Sequence, residues 1–189
     1  MSKSSGEQGF SLIETLLAMF ILVVGLVGLS GLYAQAIGTL HLGERRLLAK
    51  QKAKETLESI YTARNTSQIT FDMVRNVSDP AGTGIFLDGF QPMREPNPAN
   101  GLGDGLVGTA DDGDIEEVTL PGQDGYLGTE DDVTRSLGDM QRQILIQPIL
   151  RPDGTADSNL RQITVTVSYS AGGSRQDTYT VGSFISRYR

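Results

Sequence analysis

The chain has 189 residues, with 23 Asp+Glu against 16 Lys+Arg, one His, no Cys and a formal charge of -7, a size suited to one modest domain. Without cysteine there is no disulfide framework, thiolate metal site or cysteine nucleophile, and His41 alone cannot build a multi-histidine centre. The acidic balance argues against a general nucleic-acid binder, and 23 Gly with 7 Pro predict much loop.

A short polar segment, Met1 to Gly9, precedes an apolar run that starts at Phe10 and carries one charge, Glu14, before Glu44. Thr15 to Gly43 is 29 residues without a formal charge, and a helix needs only about 20 to cross a bilayer core. A buried core helix this long and apolar all round would need a larger soluble domain than the remaining residues supply. The sequence therefore predicts a membrane span. From Glu44 to Arg64 there is no Pro or Gly, and Ala49, Ala53, Leu57 and Ile60 with Tyr61 recur at helical spacing. One helix is predicted from Phe10 to Arg64, stopped by Asn65, Thr66 and Ser67. Residues 44–64 carry a net +3, which fits either a cytoplasmic flank under the positive-inside tendency or a solvated helix face.

Asp79 to Asp139 holds 14 acidic and two basic residues with 12 Gly and 5 Pro, and reads as a long, irregular, acidic loop. Within it Asp104-Gly-Leu-Val-Gly-Thr-Ala-Asp-Asp112 repeats 20 residues later as Asp124-Gly-Tyr-Leu-Gly-Thr-Glu-Asp-Asp132. Two copies are too few for a solenoid. Gln143 to Ile149, Gln162 to Ser170 and Thr178 to Ile185 then read as strands, the last two forming a hairpin across Gly172-Gly173. The expected fold class is α+β: one long N-terminal helix packed on a small C-terminal antiparallel β-sheet with a long acidic loop. No GxSxG, Walker or GxGxxG pattern occurs in its required context, so no enzyme is expected.

Gly9-Phe10-Ser11-Leu12-Ile13-Glu14, running directly into the apolar segment, resembles the processing site of type IV prepilins and of the related secretion pseudopilins. The wording from Gly9 to Leu32 is closest to minor pilins of the PilV type. The resemblance implies a leader, 1–9, cut after Gly9 by prepilin peptidase, and N-methylation of Phe10. It implies a membrane and filament-core helix, 10–43, its amphipathic continuation, 44–65, and a globular head, 66–189, with the acidic loop 79–139 and a terminal hairpin region 143–186. Glu14 becomes the fifth residue of the mature chain, where the family's glutamate pairs with the N-terminal amine of a neighbouring subunit. Physically, a carboxylate within an apolar span is costly and marks either such a partner or a side chain snorkelling to the headgroups. The implied location is the bacterial inner membrane, single-pass, with the head outside the cytoplasm. Implied partners are the peptidase, the membrane assembly platform and other pilins or pseudopilins. A minor pseudopilin of a type II secretion system shares this architecture. An ordinary signal-peptidase site also exists at Ala34-Gln35-Ala36, but Glu14 interrupts its apolar region.

The acidic repeat has the composition of a calcium site, since Ca2+ takes six to eight oxygens in flexible geometry. Asp104, Asp111, Asp112, Asp114 and Glu116 are one candidate ligand group, and Asp124, Glu130, Asp131 and Asp132 its repeat. The spacing is not that of an EF-hand, and a solvated acidic loop fits the composition equally. A membrane-anchored calcium-binding module that never polymerises is the corresponding alternative function. Direct contact with nucleic acid is not expected, although Arg161, Arg175, Arg187 and Arg189 leave room for a local basic patch.

Overall fold

The computed structural model describes residues 11–97, 103–171 and 175–188. The leader, Gly9 and Phe10 lie outside the described residues. Helix α1 runs Leu12–Asn65, and the chain divides at its middle into two compact units, Met1–Gly43 and Glu44–Arg189. In the first unit every described residue is exposed, including Leu16, Phe20, Val24, Val27 and Leu32.

The second unit opens with the remaining turns of α1, and here the four-, four- and three-residue spacing does what amphipathic periodicity dictates. Ala49, Ala53 and Ile60 are fully buried and Leu57 nearly so, and Tyr61 packs at the edge of the same core. The helix ends in a Schellman motif: the Gln68 amide donates to Ala63 O at 2.9 Å and the Ser67 amide to Arg64 O at 3.3 Å. Ser67 takes φ 65°, the left-handed conformation that the motif needs. A 3-10 turn follows at Phe71–Met73.

Among the described residues six strands come next: β1 Gln91–Pro92, β2 Glu117–Leu120, β3 Val133–Ser136, β4 Gln141–Leu150, β5 Ala156–Ser170 and β6 Gln176–Ser186. The main sheet is antiparallel in the order β1-β4-β5-β6, and β2 with β3 forms a separate two-stranded hairpin. The inward face of the main sheet supplies Ile144, Ile146, Ile163, Val165, Val167, Tyr169 and Ile185 to one core shared with the second half of α1. The Tyr61 hydroxyl donates to Phe184 O at 2.7 Å, and Arg64 donates to Arg187 O at 2.8 Å, so the helix end is also tied to the end of β6.

The α+β class is as expected. The acidic region differs from its expectation as uniform irregular loop, because β1, β2 and β3 lie within it. Their alternation is too short and too polar to stand out against the surrounding Gly, Pro and Asp, and pairing with a partner strand, not burial, defines them. Strands β4, β5 and β6 extend beyond the predicted runs because polar residues continue the ladder once register is set: Leu160 still faces Ser186, and Ser170 still faces Gln176.

Candidate functional site

Two regions carry the residues singled out from sequence. The first is the start of α1. Glu14 lies in the first turn of the helix, where the unsatisfied amides favour a carboxylate, and its side chain is exposed. Beyond it, α1 is long and apolar enough to cross a membrane, with a most apolar window of mean hydropathy 2.5, none of it buried by the chain itself. Thr15, Ser30 and Thr39 each turn their hydroxyl back onto a helix carbonyl at 2.8–2.9 Å, which hides their polarity from an apolar surrounding.

The second region is the acidic repeat, whose two copies fold into the same loop. In the first, Asp104 accepts from the Leu106 amide at 2.8 Å and Asp111 accepts from the Asp104 amide at 2.7 Å. Asp112 accepts from the Gly108 amide at 2.8 Å, and Thr109 Oγ1 donates to Asp111 at 2.7 Å. In the second, Asp124 accepts from the Tyr126 amide at 2.8 Å and Asp131 from the Asp124 amide at 3.2 Å. Asp132 accepts from the Gly128 amide at 2.6 Å, and Thr129 donates to Asp131 at 2.7 Å. Both loops need glycine at the same two places: Gly105 and Gly125 have φ 68° and 73°, Gly108 and Gly128 have φ 77° and 89°. The invariant letters of the repeat are therefore those of a self-capped turn, in which short side-chain carboxylates satisfy backbone amides.

Of the candidate calcium ligands, the structure brings together Asp104, Asp111 and Asp112 in one loop and Asp124, Asp131 and Asp132 in the other, each engaged with amides or a threonine. Glu116 turns away to meet Lys52 Nζ of α1 at 2.7 Å and Arg142 of β4 at 3.9 Å. Asp114 and Glu130 are exposed. Among the described residues no group of three or more His, Asp or Glu side chains is arranged to hold a metal ion. Burial pushes the Asp112 carboxyl above its usual range, opposed by the Gly108 and Thr109 amides and by Arg142; burial likewise raises Asp104. Burial alone would raise Asp111 too, but its bonds from Thr109 Oγ1 and the Asp104 amide pull it below the usual range.

Sequence reasoning missed the buried polar residues. Arg142 is 3% exposed, donating to Arg94 O at 3.2 Å and reaching Thr56 Oγ1 at 3.4 Å. Arg161, one of four arginines that left room for a local basic patch, is 4% exposed and so does not contribute to one. It lies 4.0 Å over the Phe71 ring and donates to Phe71 O and, at 2.8 Å, to Val74 O, while desolvation lowers its pKa to about 10. Asn76 donates to Ile144 O at 2.7 Å and accepts from the Ile146 amide at 2.8 Å, standing in for a strand beside β4. The overlooked signal was strand parity, because Arg142 shares a face with Ile144 and Ile146, and Arg161 with Ile163 and Val165.

The pattern described as the prokaryotic N-terminal methylation motif matches residues 4–30, well under half of the chain. No curated protein and no solved structure matches the chain.

Proposed function

We propose that the protein is a minor pilin of a type IV pilus, cut after Gly9 by prepilin peptidase and N-methylated at Phe10. It waits in the inner membrane as a single-pass subunit with its head outside the cytoplasm, and enters the filament through α1. The observation that carries this reading is a methylation motif running without a break into an apolar helix that its own chain leaves bare. Such a surface is stable only in lipid or against other helices. Gly25, Gly28 and Gly31 have no neighbouring atoms within van der Waals reach, so they form a face on which another backbone can approach closely. Glu14 sets the axial register by meeting the methylated amine of a neighbour, a charge pair that becomes strong as water is excluded. The function is assembly, and the head presents the acidic loops to adjoining subunits or to the medium.

The test is N-terminal peptide and intact-mass analysis of the protein from native membranes and sheared filaments. A methylated chain beginning at Phe10 supports the reading. A chain beginning after Ala36, or one retaining Met1, overturns it. Recovery of the methylated chain from envelopes of cells with a type II secretion system, and never from sheared pili, replaces the pilus with the secretion pseudopilus.

A further inference from the structure

The two repeat loops share one backbone but occupy opposite environments. In the first, the two residues after Asp104-Gly105 are Leu106 and Val107, 2% and 9% exposed, and Leu106 belongs to the core. The loop is seated against the rest of the head: Gly108 lies over Ile144, and its carbonyl accepts from the Leu87 amide at 2.8 Å. Gln68 donates to Asp104 O, and the positive field of Arg142 acts on Asp112. The corresponding residues of the second loop are Tyr126 and Leu127, 73% and 65% exposed. That loop caps the β2-β3 hairpin, with its base closed by the approach of Gly122 to Asp131, where a Cβ would collide with the backbone.

We propose that the second loop is a docking element, in which Tyr126 and Leu127 insert into an apolar socket on a different protein chain, with a cationic side chain beside the exposed carboxylates of Glu130 and Asp131. The first loop is the template, since it shows what the same backbone does when its apolar tip has somewhere to go. The second loop is held by five internal side-chain bonds, so little ordering entropy is lost when it docks. A tyrosine beside a leucine offers large contact area on few rotatable bonds.

Charge selects the class of partner. Asp124, Glu130, Asp131 and Asp132 surround the tip, and no basic residue lies between Pro121 and Thr134. Anionic lipid and nucleic acid are repelled by such a loop. A second copy is disfavoured as well, because the socket that fits this loop is already filled by the chain's own Leu106 and Val107 and the acidic stretches of two copies repel. A heterologous protein surface with an apolar pocket and an Arg or Lys at its rim fits both the tip and the carboxylates. The inference needs no filament and stands apart from the assembly role of α1.

The experiment places a photo-crosslinking amino acid at Tyr126 of the full-length chain in its native cells, with the same probe at exposed Asp153 as control. The expected result is a light-dependent adduct with one other protein, mapped by peptide mass spectrometry to an apolar site that includes an Arg or Lys. Adduct yield should fall about tenfold with Leu127→Asp and with Glu130→Arg, and persist with Leu127→Val, which copies the first loop. Position 127 is exposed, so its variants leave the fold intact, and an unchanged melting temperature checks this for all three. A yield no higher than at Asp153, adducts to lipid or to a second copy, or an adduct indifferent to Leu127→Asp would each overturn the proposal.

Discussion

Asn76 does for the head what a length of β-strand does elsewhere, with one side chain closing both a donor and an acceptor of β4. Its replacement by alanine leaves the Ile144 carbonyl and Ile146 amide buried without partners, and should cost about 3 kcal/mol. Thermal melts of the full chain in detergent, with the wild type beside it, would show this. Lys52 gives the pH-dependent counterpart. Burial alone would lower its ammonium pKa, but hydrogen bonds to Glu116 and Glu55 raise it above 10.5. Because the folded-state value is raised, the stabilisation is complete below 10.5 and fades as pH climbs through the raised value. Lys52→Met should therefore lower stability by about 3 kcal/mol at neutral pH and show a shallower further loss on the alkaline side. In melting temperatures between pH 8 and the alkaline limit, a parallel decline in both proteins would remove the shift, and a steeper decline in the variant would reverse its sign. Neither residue announced itself in the sequence: Lys52 reads as one of several helix cations, and Asn76 sits in a stretch without periodicity. Their roles come from long-range closure, which a local pattern does not encode.

At the level of elements, the helix and the last three strands were legible because their hydrophobic periods of 3.6 and 2 are also their burial patterns. Strands β1 to β3 were not, since register with a partner defines them. The repeat was visible as letters, and its composition fits ligand oxygens and a solvated loop alike; that its carboxylates bond to backbone amides of the same turn comes only from the folded geometry. Its two copies make opposite predictions. Leu106→Ala should cost about 3 kcal/mol, in the range for emptying a core position, whereas Leu127→Ala should stay within about 0.5 kcal/mol, as exposed substitutions do. Equal effects in denaturant unfolding would contradict the exposure difference between the loops. Gly84 is a second element-level constraint, because a Cβ there would run into the carbonyl of Asn76. Gly84→Ala should destabilise by more than about 2 kcal/mol and loosen the bridge between Asn76 and Phe86, which amide hydrogen exchange at Val77 would register.

For the molecule as a whole, the two units obey different solvents. The head buries its apolar residues against a sheet, while the preceding turns of α1 hold theirs outward. The intact chain should resist extraction from membranes by alkaline carbonate and be released only by detergent. Release into the soluble fraction would contradict a lipid-covered helix. Glu14→Ala should leave membrane retention and cleavage intact but reduce recovery in sheared filaments about tenfold or more, roughly the effect of losing a desolvated charge pair. Wild-type incorporation would remove Glu14 from the assembly mechanism. The long apolar helix itself was legible from sequence, since it depends on a contiguous string of residue types and needs no tertiary closure.

The paired loops also divide the burden of inheritance. A change at Leu106 or Val107 is judged by whether the head still folds, and most alternatives fail that test before any encounter with another molecule. A change at Tyr126 or Leu127 escapes it, because both side chains stand exposed. The duplicated turn thus supplies a stable copy and an experimental one, built on the same glycines and aspartates. Substitution at the tip of the second loop therefore leaves intact the fold that presents it.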